Sequence, residues 1–191
     1  SACVAPYRVR SSPAVRPGSA RFDKNAPMRT VMHHTFDASP AQCWAMFHDP
    51  DSHVAKFEGM GHHDVAVLEQ DQTEDELRIV VTREVDVDGI PGFARKFVKP
   101  RNTVVSTDLW QDRGDGTYGG EFILDTKGAP VEIAGTTLLT PEGDRTHYEV
   151  SVEIEVKVPL VGGKLADFSK GIVEKQLAHE FELGDAWLAS H

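Results

Sequence analysis

Residues 145–158 alternate almost without fault. Thr146, Tyr148, Val150, Val152, Ile154, Val156 and Val158 share one parity; Arg145, His147, Glu149, Ser151, Glu153, Glu155 and Lys157 share the other. A period of two held this long demands a long antiparallel strand with one covered and one wet face. Pro159 ends it, and Gly162 and Gly163 turn the chain. A helical pattern then runs over 163–188, with Leu165, Phe168, Ile172, Leu177, Phe181, Gly184 and Trp187 or Leu188 at helical spacing. A wide sheet whose covered face ends beside a long last helix suits a container better than a catalytic platform.

The rest of the chain supplies the other walls. A first strand over 29–36 leads to Asp37 or Ser39 as a helix cap, with Pro40 in the first turn and Cys43, Trp44 and Phe47 as the apolar stripe. Asp49-Pro50-Asp51 stops that helix, and a second short one covers 52–57. Strands are expected at 63–69, 76–87, 103–111, 117–125, 131–139 and 145–158. Gly114-Asp115-Gly116, Lys127-Gly128 and Glu142-Gly143-Asp144 are the turns between antiparallel neighbours. Seven strands and one long helix cannot make two covered sheets. The pattern predicts an α+β domain in which a curved seven-stranded antiparallel sheet wraps around the last helix.

Composition narrows the partners. A length of 191 residues fits one domain. The net charge of −10 argues against nucleic acid, which needs clustered Lys and Arg. The basic residues Arg8, Arg10, Arg16, Arg21 and Lys24 face only Asp23 in residues 1–27, so the body is more acidic still. Pro6, Pro13, Pro17 and Pro27 break any amphipathic helix there. Residues 1–27 read as a dispensable basic arm or a misplaced start, with residues 28–191 as the folded domain. No apolar run reaches the roughly 18 residues of a membrane span. Cys3 and Cys43 offer no disulfide framework, which fits a reduced, cytoplasmic protein.

The order of elements, the Asp37-Ala38-Ser39-Pro40 … Trp44 opening and the turn Pro159-Leu160-Val161-Gly162-Gly163-Lys164 resemble the START-like superfamily. This is the helix-grip fold shared with the birch-pollen allergen and the polyketide cyclases. More narrowly, the chain resembles an uncharacterised, mainly actinobacterial family within it. The resemblance covers residues 28–190 and implies an internal cavity between sheet and last helix, used by relatives for sterols, lipids, polyketides and plant hormones. It also implies that a loop near residues 89–99 closes the cavity mouth.

Candidate cavity residues follow from parity and helical spacing. Tyr148, Val150 and Val152 face inward from the last strand, Tyr118, Phe122 and Leu124 from a neighbour, and Leu165, Phe168 and Ile172 from the helix. Trp110 joins them if the mixed pattern of its strand turns it inward. Arg83 shares the parity of Leu77, Ile79, Val81, Val85 and Val87, which points a guanidinium at the apolar side. A buried Arg is costly unless paired. Either it anchors the carboxylate or phosphate of an amphiphile, or it meets an acid or returns to solvent at a bulge. Phe93 and Phe97, with Arg95, Lys96 and Lys99, make an amphipathic lid that touches a membrane at most transiently, or a plug for the core.

Catalytic and metal chemistry find less support. Nine histidines invite a metal, yet His33-His34 and His62-His63 are chain neighbours that point to opposite faces of a strand. His48 and His53 straddle Pro50 without the i, i+4 spacing of a metalloenzyme helix. No metal site or cofactor is therefore expected. Tyr148, Arg83 and a cavity-facing His34 are the acid–base candidates, and nucleophile-elbow and phosphate-loop motifs are missing. The expected activity is binding of an apolar or amphipathic molecule such as a lipid or polyketide. A cyclase- or hydratase-type cavity enzyme and a filled-core interaction module are the alternatives. Because no core residue is expected before Met28, deleting residues 1–27 should leave the melting temperature unchanged; a large drop in a thermal melt would overturn that.

Overall fold

The computed structural model describes residues 27–191; the basic arm lies outside the described residues apart from Pro27. Nine residues of strand β1 (Met28–Phe36) are followed by α1 (Pro40–His48), α2 (Pro50–Gly59), β2 (His63–Gln72), β3 (Glu76–Asp86), β4 (Arg101–Asp112), β5 (Tyr118–Thr126), β6 (Val131–Glu142), β7 (Arg145–Val156) and α3 (Gly162–Ser190). The strands form one antiparallel sheet in the order β1-β7-β6-β5-β4-β3-β2. The chain thus carries the helix-grip fold, with the two short helices between β1 and β2 and the long helix on the concave face.

Local chemistry explains the boundaries. Ser39 caps α1 in a reciprocal box with Gln42, whose side chain accepts from the Ser39 amide at 2.9 Å. Asp49 caps α2 by accepting from the Asp51 amide. The turn glycines 114, 116, 128 and 143 all adopt positive φ, as hairpin connections require. Strand β2 is an edge strand with two register shifts and almost complete exposure. Bulges and acidic side chains such as Glu69 and Asp71 keep such an edge from pairing with another chain.

The alternation of β7 is realised over most of its length: Thr146, Tyr148, Val150, Val152 and Ile154 are buried, while Val156 is half-buried and ends the strand two residues before the expected Val158. Leu77, Ile79, Val81, Arg83 and Val85 do the same from β3. At one end of the concave face an aromatic cluster joins the layers. Phe47 of α1 stacks on Trp110 of β4 at 4.2 Å, Tyr148 lies 5.6 Å from both Phe36 and Phe181, and Phe181 comes from α3.

Curvature is concentrated where side chains are missing. A Cβ on Gly120 would stand 1.6 Å from the Leu109 carbonyl oxygen, and one on Gly135 would meet the Ser151 carbonyl at 2.2 Å and the Phe122 ring at 2.4 Å. Backbone approaches this close exclude every other residue. Gly135→Ala must push strand or ring aside, at a cost of about 3 kcal/mol or more. Its melting temperature should fall by about 6 °C or more; an unchanged melt would show that the strands relax freely.

Candidate functional site: the interior between sheet and last helix

Among the described residues, three partly open cavities lie in series along α3. The first, about 240 Å³, sits under the short helices among Phe47, Ser52, His53, Lys56, Glu180 and Trp187. The second, about 70 Å³, lies at the centre, walled by Arg83, Asp108, Trp110, Phe122, Thr137 and Tyr148 among others. The third, about 90 Å³, runs between Val85, Val98, Val131, Ile133, Ser169 and Ile172. Lys56, Tyr148 and Glu180 form the partition between the first two, and Arg83, Leu124, Val173 and Gln176 the partition between the last two. An open groove of about 630 Å³, lined by Met60, His62, Asp88, Phe168, Lys175 and His179, reaches Ile172 and Gln176 from outside.

Arg83 stands at the centre. It is 4% exposed, so the side chain does not return to solvent. Its Nη1 donates to Ser106 Oγ at 3.0 Å, and its guanidinium carbon lies 3.7 Å from the Phe57 ring centroid. Cation–π contact and one hydroxyl compensate only part of the cost of burying the charge. Burial lowers its pKa to about 10, against the opposing pull of Asp108 and Glu180, so it stays charged at neutral pH. Lys56 Nζ approaches the same Phe57 ring at 4.7 Å and pairs with Glu180 Oε1 at 3.0 Å, with both side chains mostly covered.

The polar lining is incompletely satisfied. Arg83 Nε, Asp108 Oδ2 and Thr137 Oγ1 are buried without a hydrogen-bond partner among the described residues. Such atoms are rare in folded proteins, and each calls for an explanation. Burial, with Glu180 and Asp108 adding to it, pushes the Tyr148 phenol well above its usual value, so it remains protonated and able to donate.

The sequence-derived candidates divide into groups. Trp110, Phe122, Tyr148 and Val150 line the central void with Arg83, and the buried Trp110 shows that β4 turns it inward. Ile172 lines the third void and the groove, and Phe168 the groove. The buried face of α3 is instead Leu165, Ala166, Ser169, Val173 and Phe181, rotated slightly from the expected stripe. Tyr118 stacks on Trp44 at 5.1 Å, half-buried under α1. In the 89–99 loop, Ala94 and Val98 are buried while Phe93 and Phe97 are half-buried against the core. His34 does face inward, stacked on Phe181 at 5.0 Å, with its Nε2 on Asp185 at 3.1 Å.

Lys56, Ser106, Asp108, Thr137, Gln176 and Glu180 were not anticipated. Glu180 lies one heptad beyond Val173, and Ser106 and Asp108 share the parity of Trp110. Those spacings were the available signals.

Residues 31–188 match the family described as "Protein of unknown function (DUF2505)". The chain belongs to that family. An uncharacterized protein of Mycobacterium tuberculosis, Rv0481c, is 27% identical over 110 residues, covering 53% of this chain and 63% of that protein. The chain thus spans less than two thirds of the curated relatives it matches. Among solved structures, the Zhui aromatase/cyclase from Streptomyces sp. R1128 superposes with a TM-score of 0.62 at 14% identity, over 85% of this chain and 94% of the other. A START superfamily protein from Mycobacterium smegmatis gives 0.52 at 15% identity, over 85% and 97%. At these identities the likeness establishes the START-like fold of this DUF2505 member and nothing about its chemistry.

Two histidines report on the interior. Burial, followed by the charges of Arg83 and Lys56, pulls His62 down to about 4. Burial and Lys56 likewise lower His53, whose Nε2 lies 2.8 Å from the Phe47 carbonyl. A folded-state pKa below the ordinary 6.5 means that the unfolded chain takes up protons first. The resulting stability is complete above pH 6.5 and is lost as pH falls towards 4. Thermal melts over that window should therefore fall with acidification and fall less steeply in His62→Gln; equal slopes would show that His62 does not titrate as its surroundings dictate.

Proposed function

We propose that this protein binds a small amphipathic molecule between the sheet and α3, with its polar end at Arg83, Asp108 and Thr137 and its apolar body along Val85, Val131 and Ile133. The observation that carries this reading is the set of partnerless buried atoms around a void in an otherwise apolar interior. Arg83 Nε requires an acceptor and Asp108 Oδ2 requires a donor. A hydroxyl supplies both, and a carboxylic acid does so when protonated. A doubly charged phosphate is disfavoured, because Asp108 and Glu180 share its wall. Each void is smaller than the roughly 300 Å³ at which drug-sized ligand pockets begin. Occupancy by a lipid or polyketide therefore requires the side chains between the voids, Lys56 and Arg83 among them, to move so that all three join.

A cavity enzyme is the second reading, and one feature favours it. Lys56, Glu180, Asp108 and Tyr148 all wall the central void, which offers a cation, carboxylates and a phenolic donor to one substrate. Those are the groups that acid–base chemistry on a polyketide-like molecule uses. The aromatase/cyclase with the same fold makes such chemistry compatible with the architecture, and no more than compatible.

Native mass spectrometry of protein from its own cells, with extraction of whatever co-purifies, tests the binding reading. A stoichiometric amphiphile is expected, and Arg83→Met should weaken its binding by about tenfold or more, the value of one charged hydrogen bond. Asp108→Asn, which keeps the shape, separates loss of the contact from loss of the fold. An empty protein that takes up neither a fluorescent fatty acid nor a fluorescent sterol would overturn the reading. Conversion of the extracted molecule on incubation would favour the enzyme.

A further inference from the structure

We propose that the outer face of the β1–β7 ladder is a binding site for a divalent transition-metal ion of the Zn²⁺ class, held by His33, His147 and Glu149. Chain neighbours such as His33 and His34 cannot share an ion, because one points out and the other in. Cross-strand neighbours can. His33 stands directly opposite Glu149, and His147 stands opposite Thr35 on the next outward rung. All three side chains therefore project from the same side of two paired strands.

The donor atoms are already at coordination spacing. His33 Nδ1 lies 3.2 Å from His147 Nε2 and 3.8 Å from Glu149 Oε2, and one donor atom from each residue lies within 4.8 Å of the others. Zinc bonds of about 2.0–2.2 Å in a tetrahedron separate their ligand atoms by about 3.3 Å. Small rotamer adjustments suffice, while the strand pair holds the backbone. Without an ion, one imidazole N–H donates to the other ring and the carboxylate at 3.8 Å stays beyond hydrogen-bonding reach. An ion engages all three groups at once.

Donor chemistry and surroundings select the ion. Two imidazoles with one carboxylate suit Zn²⁺, Co²⁺, Ni²⁺ or Cu²⁺ and suit Mg²⁺ or Ca²⁺ poorly. Neighbouring acids strengthen the negative field, although Arg29 pairs with Glu153 at 2.7 Å and Arg145 reaches Glu142 at 4.0 Å. Three protein ligands leave a position for water or for a donor from another molecule. With His33 half exposed, the ion exchanges with solvent rather than being locked in. Its structural effect is to staple edge strand β1 to β7. From β1, Thr30 donates to Glu174 at 2.7 Å and His34 meets Asp185, so the stapled strand is one that also grips α3.

The test uses the full, tag-free chain after stripping with EDTA. Calorimetric titration with Zn²⁺ should show one equivalent per chain. At about a hundredfold excess over the dissociation constant, the melting temperature should rise by about 5 °C or more. His33→Gln, His147→Gln and the isosteric Glu149→Gln should each weaken Zn²⁺ binding by about tenfold or more, with apo melts and circular dichroism like wild type. Mg²⁺ should produce no shift. A Zn²⁺ response of equal size in the His33→Gln/His147→Gln double variant, or none in wild type, would overturn the proposal.

Discussion

A single sheet with one apolar face is stable only if it curls around what covers it, and here the curl depends on backbone approaches that no side chain permits. At Gly120 and Gly135 the neighbouring carbonyls come closer than any Cβ tolerates. That contraction on the concave side makes room for Trp110 and Phe122 to lean inward and for α3 to lie across them. A side chain at either position forces a neighbouring strand or ring to move. Trp110 and Phe122, which wall the central void, are among the residues an added carbon would meet.

Into that enclosed space the chain places charge. Arg83 and Lys56 flank the Phe57 ring while Asp108 and Glu180 answer them from β4 and α3. Opposite charges in comparable number keep the field near balance, which offsets part of the cost of burying them. Incomplete pairing leaves the cluster chemically unsaturated. A filled core made only for stability would close those hydrogen bonds or dispense with the charges, since an apolar replacement is often no less stable.

What was legible in the sequence followed from periodicity. The strands β3 and β7 announce themselves because apolar residues occupy nearly every inward position, and the one charged exception, Arg83, stands out against that background. Strand β4 was ambiguous for the same reason inverted: Asn102, Ser106 and Asp108 are polar residues facing inward, so they blur the alternation that would have exposed them. Helix α3 was readable as a helix but not in rotation, because Phe168 and Ile172 border an open groove while Ser169 and Val173 go in. The outer-face histidines show a further limit. Their proximity belongs to strand register, which one-dimensional spacing does not contain.

Arg83 is the charged member of the wall between the central and third voids, so the shape of the interior there depends on its torsion angles. The central and third voids share Arg83, Leu124, Val173 and Gln176 as their common wall, and the guanidinium is held there by Ser106 and Phe57. Leaving costs a hydrogen bond and a cation–π contact, a barrier set by one side chain and not by strand separation. Rotamer exchange of that one side chain, coupled to its desolvation, is a change this interior can undergo with the sheet as a stationary frame.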